Sequence, residues 1–231
     1  MQISLGIVPG LCCVCRCARY TCWVKSDFVC GWEFEREARE AGARLIAGVD
    51  EVGRGPLFGP VVAAAVILPE SCLLDGLTDS KQLSEEKRAH FDERMRRIAI
   101  CFAIAEVDAA TIDRINILQA SRLAMRLAVE KLSAQPDFLL IDGNKRIEAR
   151  CGQRTIVKGD ARSLSIAAAS VIAKVYRDRL MNQLAREFPG YGLGRNKGYP
   201  SKAHRAALQR LGPTELHRRS FRGVLELVTG A

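Results

Sequence analysis

Four acidic residues stand where apolar runs give out. Leu45-Ile-Ala-Gly-Val runs into the adjacent pair Asp50 and Glu51, and a Gly53-Arg54-Gly55-Pro56 turn follows at once. Phe138-Leu-Leu-Ile stops at Asp142-Gly143, and Thr155-Ile-Val stops at Lys158-Gly159-Asp160. Short apolar runs bounded by Gly and Pro read as buried strands. In sheet domains, ligands gather where loops leave one end of the sheet. Three such ends meeting would bring four carboxylates within reach of one point. That many anions need a counterion, and hard divalent cations accept such oxygens. A magnesium or manganese pair held there could activate water and stabilise a leaving oxygen in phosphodiester cleavage.

Each acid also has a plainer reading. Asp142 before Gly143 suits a turn, and Asp160 ahead of a helix suits an N-cap. Asp50 and Glu51 are neighbours, so in a regular strand they point to opposite faces. Both reach one site only if the strand ends or twists between them. Gly-Arg-Gly is often a simple turn, although the glycines beside Arg54 let the backbone take positive φ and come close to a ligand. Rival chemistry is poorly represented. His90, His204 and His217 sit in no HExxH or Ser-His-Asp pattern, and no P-loop is present. Gly-x-Gly occurs at 53–55 and 192–194 without the dinucleotide fingerprint.

The elements that must position the acids can be read in outline. A solvated helix is expected from Trp32 to Arg44, ahead of the first acid-bearing strand. Pro60–Leu68 reads as a second strand, Asp75–Leu83 as a polar loop, and Ser84 as the cap of a helix to about Arg97. Ile98–Val107 is expected as a third strand. Two helical segments follow, Asp108–Arg114 and Asn116–Ser133. After Asp160 comes a long alanine-rich helix with Leu164, Ala168, Val171, Ile172 and Val175 on one stripe. Phe188–Pro200 is a Gly- and Pro-punctuated loop, and helical stretches from Ser201 and Thr214 finish the chain. Interleaved strands and helices predict an α/β domain with a largely buried central sheet.

The totals agree with one sizeable domain plus an extension. The chain has 231 residues, 48% of them hydrophobic, which excludes disorder throughout. The longest apolar candidate, Val61–Leu68, is far too short to span a membrane. From Lys145 to Ala231 there are 18 lysines and arginines against 6 acids, a net +12; the preceding residues have 17 against 20, a net −3. A basic half points to a polyanionic partner, since cationic side chains on phosphates release counterions. Six of nine cysteines fall within residues 1–30. Cys12-x-x-Cys15 with Cys17 and Cys22 is loosely spaced for zinc, with no second pair and no histidine. Residues 1–30 are therefore expected to be a disordered, cysteine-rich extension without a secretory signal's basic start or cleavage site, and 31–231 the catalytic domain. Three scattered cysteines in the body, without a disulfide framework, fit a reducing, cytoplasmic setting.

The motifs together resemble the bacterial ribonuclease HII family, the type 2 ribonucleases H. The resemblance is carried by Ala47-Gly-Val-Asp-Glu-Val-Gly-Arg-Gly-Pro, Leu77-Thr-Asp-Ser-Lys-Gln-Leu-Ser and Leu140-Ile-Asp-Gly-Asn. Further along come Val157-Lys-Gly-Asp, Ala167-Ala-Ala-Ser-Val-Ile-Ala-Lys-Val, Lys197-Gly-Tyr-Pro and His217-Arg-Arg-Ser-Phe. The resemblance implies a ribonuclease H-like mixed central sheet flanked by helices, with a helical C-terminal part. It implies a Mg2+- or Mn2+-dependent endonuclease with a two-metal site. Such an enzyme cuts the RNA strand of RNA–DNA hybrids and incises at ribonucleotides embedded in duplex DNA, leaving 3′-hydroxyl and 5′-phosphate ends. Asp50, Glu51, Asp142 and Asp160 match the family's catalytic and metal-binding carboxylates. Gly53, Arg54 and Gly55 match its turn that reads the ribose 2′-hydroxyl, Tyr199 a tyrosine stacking on the neighbouring deoxyribose, and Lys81 a phosphate-contacting lysine. The expected partners are the hybrid and ribonucleotide-containing duplexes, with no membrane, and the protein is expected to be a monomer. Alternatives of other kinds are a junction resolvase of the same fold and a nucleic-acid-binding protein whose acids are structural.

Overall fold

The computed structural model describes residues 30–70 and 72–230; the expectations for the first 29 residues lie outside them. The central strand, β1 (Ile46–Val52), lies between β2 (Val61–Ile67), antiparallel to it, and β4 (Phe138–Asp142), parallel to it. With β3 (Cys101–Val107) outside β2 and β5 (Gly152–Ile156) outside β4, the sheet order is β3-β2-β1-β4-β5. Every residue of β2 is buried. Its valine, alanine and isoleucine side chains feed both faces of the sheet, which explains why it reads as a continuous apolar run rather than an alternating one.

Helices cover both faces. On one side α3 (Ala109–Glu130) packs Ile112, Ala120, Ala124 and Ala128 against Val49, Ala63 and Ile141. On the other, α4 (Leu164–Glu187) lays Ala168, Val171, Ile172 and Val175 over Val62 and Ala64, beside α2 (Glu85–Ile98). The backbones of β1 and α4 approach so closely that a Cβ at Gly48 would stand 2.1 Å from the Ser165 carbonyl carbon. Only glycine fits there. A smaller cluster joins Leu57, Phe58 and Met181 to Tyr191, Leu193, Leu208 and Val224. It anchors the C-terminal part, comprising α5 (Leu193–Asn196), α6 (Lys202–Leu211) and α7 (Leu225–Thr229).

The expected elements are present, with shifts that have local causes. The first helix, α1 (Glu33–Glu40), is not wholly solvated, because Phe34, Glu35 and Ala38 are buried. The two helical segments after Asp108 form one element broken at Asn116, whose backbone (φ 66°, ψ 163°) leaves the helix while its side chain accepts from Leu118 N and Gln119 N. β5 begins at Gly152 rather than Thr155, since parallel pairing with β4 starts at Phe138 opposite Gly152. Asp160 does not cap the long helix. It lies in a 3-10 turn, Gly159–Ala161, and Ser163 is the N-cap, accepting from Ile166 N. The stretch from Thr214 is mostly turns and becomes helical only at α7.

Candidate active site

Register decides where the first two acids stand. β4 pairs with β1 only as far as Val49 opposite Ile141, whereas β2 stays paired through Val52. Asp50 and Glu51 therefore lie on the last stretch of β1, where pairing with its neighbour on one side has stopped. Asp142 closes β4, and Asp160 sits in the turn ahead of α4. The fold thus gathers all four acids at one end of the sheet, as their positions in the sequence predict.

Burial and mutual repulsion shape their protonation. Asp50 is buried, and burial, then Glu51, Asp142 and Asp160, push its carboxyl well above the ordinary range, while a Ser170 hydrogen bond works the other way. Glu51 is also raised, chiefly by burial; Arg54 opposes this and Asp142 adds to it. Arg54 Nη1 donates to Glu51 Oε1 at 3.2 Å. Asp160 is raised to about 6 by burial, by Asp142 and by Asp79. The Gly159 amide donates to Asp142 Oδ1 at 2.7 Å and so draws the β4 end to the turn carrying Asp160.

This donor set fits a hard divalent cation. Four carboxylates share a partly buried space, and the cations beside them are Arg54 at the Glu51 side and Lys81 at the Asp160 side. Among the described residues, however, no three carboxylate, imidazole or thiol side chains are drawn into a closed ligand set. Glu51 leans on Arg54 and Asp142 on the Gly159 amide.

The remaining expected residues surround the acids. Lys81 Nζ stands 3.6 Å from Asp160 Oδ2 and 3.9 Å from Asp79 Oδ1. Burial works against its charge, but Asp79, Asp160, Asp50 and Asp142 hold the ammonium above its ordinary range. Gly53 has φ 89°, where other residues are strained. Tyr199 is exposed, and its ring faces Gly55: a Cβ added there would be 3.5 Å from the ring edge. Turn and tyrosine form one surface.

Sequence reasoning missed several contributors. Asp79 is a fifth carboxylate, bonded to the Lys81 amide and felt by Asp160; it lay inside a quoted motif but beside no strand. Arg177 and Arg218 are almost wholly buried, against the usual exposure of arginine. Arg218 Nε, Nη1 and Nη2 donate to Gly59 O, Arg54 O and Gly53 O. Arg177 donates to Pro60 O, Lys197 O and Phe58 O. Their only sequence signal was that Arg218 belongs to the His217 motif. His204 and His217 pack with Tyr191 and Phe58, and burial lowers both imidazoles, His217 to about 4. They are neutral packing groups.

The chain is similar to known proteins in sequence and in fold. The family model described as ribonuclease HII matches residues 47–224. The ribonuclease HII of Bacillus subtilis (strain 168) is 53% identical over 198 residues, covering 86% of this chain and 77% of that one. That of Geobacter metallireducens is 51% identical over 197 residues, covering 85% and 92%. Among solved structures, ribonuclease H2 from Pyrococcus horikoshii OT3 superposes with a TM-score of 0.68 at 24% identity, over 81% of this chain and 98% of that one. A Bst ribonuclease HIII solved in complex with Mn2+ superposes with a TM-score of 0.63 at 21% identity, over 84% and 72%.

Proposed function

Because the chain belongs to the ribonuclease HII family, we propose that this endoribonuclease cuts the RNA strand of RNA–DNA hybrids and incises duplex DNA beside single embedded ribonucleotides. The products would carry 3′-hydroxyl and 5′-phosphate ends. The observation that supports this reading best is the shared end of the sheet. Four carboxylates meet there, and the Gly53–Gly55 turn with Tyr199 stands immediately beside them.

Asp50, Glu51, Asp142 and Asp160 would hold divalent metal, Mg2+ or Mn2+, as a pair. A bound pair would neutralise the carboxylates and stabilise the charge that builds on the phosphoryl group as water attacks. The protein's own contribution is placement. Gly53 and Gly55 let the turn's backbone approach the ribose, and the 2′-hydroxyl is the group that separates RNA from DNA. Tyr199 offers a flat, exposed ring to the sugar on the other side of the junction. Lys81, close to Asp160, is within reach of a phosphate held at the carboxylates. The enzyme is read as a cytoplasmic monomer acting on nucleic acid; among the described residues no helix is long and apolar enough to cross a membrane.

The test is cleavage of a DNA duplex carrying one ribonucleotide, with Mg2+ or Mn2+ supplied. Wild-type protein should cut once, at the ribonucleotide. Asp50→Asn and Asp142→Asn should lower the rate on the order of 10²–10³-fold or more, as for loss of a group that stabilises transition-state charge. Duplex binding should survive in both variants. Wild-type turnover in either variant would remove the carboxylate mechanism, and equal cutting of an all-DNA duplex would remove the ribose reading.

A further inference from the structure

The two buried arginines have an unusual arrangement. Arg177 and Arg218 are 1% and 0% exposed, and between them they donate to six backbone carbonyls. Neither forms a salt bridge among the described residues. A buried guanidinium without a carboxylate is costly, and such a cost is tolerated where the group fixes a geometry the fold needs. Their six acceptors are not scattered. Gly53, Arg54, Phe58, Gly59 and Pro60 belong to the turn after β1 and its exit, and Lys197 belongs to the loop that carries Tyr199.

Peptide geometry gives Arg218 a specific consequence. It holds two successive carbonyls, Gly53 O at 2.6 Å and Arg54 O at 2.9 Å. In a planar trans peptide the N–H points opposite the C=O, and no cis peptide is present among the described residues. With both carbonyls turned inward to Arg218, the N–H groups of Arg54 and Gly55 must face away from it. Neither amide donates to any other group among the described residues. Two adjacent, outward, unspent amides make a donor pair for an oxygen of the substrate.

The placement of Arg218 is itself fixed by backbone pairing. Phe58 and His217 form an antiparallel bridge, Arg218 N donates to Leu57 O, and Gly59 N donates to Leu216 O. The His217-Arg-Arg-Ser-Phe segment is thereby strapped under the turn. Arg177 joins the other side: its Nη1 reaches Lys197 O at 3.0 Å while Nη2 holds Phe58 O, two residues before Tyr199 and three after Gly55. It also fills the space beside Gly53, where a Cβ would meet Arg177 Nε at 2.3 Å.

We propose that Arg218, with Arg177 beside it, is a positioning residue for ribose recognition: it turns the Arg54 and Gly55 amides outward as a donor pair and locks the turn to the loop bearing Tyr199. This rests on the ribose-reading role of the turn proposed above. Arg218 touches no substrate, and its effect is exerted wholly through the backbone it holds.

The experiment measures binding in EDTA, where no cleavage occurs, to two otherwise identical DNA duplexes, one with a single ribonucleotide and one without. Wild-type protein should bind the ribonucleotide duplex more tightly. In Arg218→Met that advantage should shrink about tenfold, the equivalent of one good hydrogen bond, with affinity for the all-DNA duplex unchanged. Arg218→Lys keeps the charge but not the fork, folds more readily, and should show an intermediate ratio. Arg177→Lys should move the ratio in the same direction. If wild type shows the preference and Arg218→Lys and Arg177→Lys both keep it intact, the arginines are merely structural and the proposal fails. If wild type itself shows no preference, the ribose reading falls and this inference falls with it.

Discussion

At the residue scale, gathering the carboxylates carries a cost in stability. Asp160 has its carboxyl raised to about 6 from the ordinary 3.8, and burial and its acidic neighbours raise Asp50 in the same direction. Between those two values the folded chain binds a proton that the unfolded chain has released, so stability falls as pH rises through that window and stays low above it. His217, lowered to about 4, and His204 have the opposite slope in the same range, because there it is the unfolded chain that binds the extra proton. The net profile of the wild type therefore hides both effects. The difference between wild type and Asp160→Asn isolates one of them. In metal-free protein at pH 7.5 the variant should melt higher by roughly 2–8 °C. The gain should vanish below about pH 3, where Asp160 is protonated in both states. Mg2+ should close the gap from the other side, by stabilising wild type more than the variant. Calorimetry across pH with and without Mg2+ reads all three; a gap independent of pH would show that Asp160 carries no excess repulsion.

At the element scale, the sequence spoke clearly where one physical signal dominated. β2 was legible because burial on both faces demands a continuous apolar run. α2 was legible because Ser84 supplies a cap that the structure uses, Ser84 accepting from Lys87 N. The break at Asn116 was legible as two helices. The plainer reading of Asp160 as an N-cap falls away because Ser163, three residues on, takes that role. The pair Asp50 and Glu51 was half legible: neighbouring strand residues should diverge, and only the register, with β1–β4 pairing ending at Val49 opposite Ile141, shows why both stand at the end of the sheet where Asp142 lies. The buried arginines were illegible, since composition places arginine in water. Gly48 lies between these extremes. A glycine inside a strand signals a close approach, but what approaches, the first turn of α4, is a tertiary fact. That contact joins the strand carrying Asp50 to the helix following Asp160, so it sets the spacing of two of the four acids. Gly48→Ala forces a methyl against backbone rather than a yielding side chain. Overpacking of this kind costs about 1–3 kcal/mol, and rigid backbone puts this site at the upper end. Urea unfolding should show that loss, with a fall in turnover at temperatures where the variant is still folded. Full activity with unchanged stability would mean that α4 can retreat without moving the acids.

At the scale of the whole molecule, charge and fold divide the work. The acids come from both parts of the chain, whereas the basic excess, a net +12, falls in residues 145–231. A polyanionic duplex is attracted by that basic excess, while the carboxylates themselves repel it until cations neutralise them. The contribution of a given cation depends on its exposure. Lys158 is exposed, two residues before Asp160, and has no salt-bridge partner among the described residues. Arg218 carries the same formal charge, yet it is buried and spent on carbonyls, and burial with Arg177 nearby lowers it to about 9. Their removal should therefore differ in kind. Lys158→Ala should weaken binding to ribonucleotide-containing and all-DNA duplexes alike, and reduce the slope of log affinity against log salt by about one. Arg218→Met should leave that slope where it was while altering the preference between the two duplexes. Titrations of both proteins at several salt concentrations decide the matter. A slope unmoved by Lys158→Ala would place the duplex on another face, and a slope lowered by Arg218→Met would mean that the buried guanidinium is seen by phosphate after all.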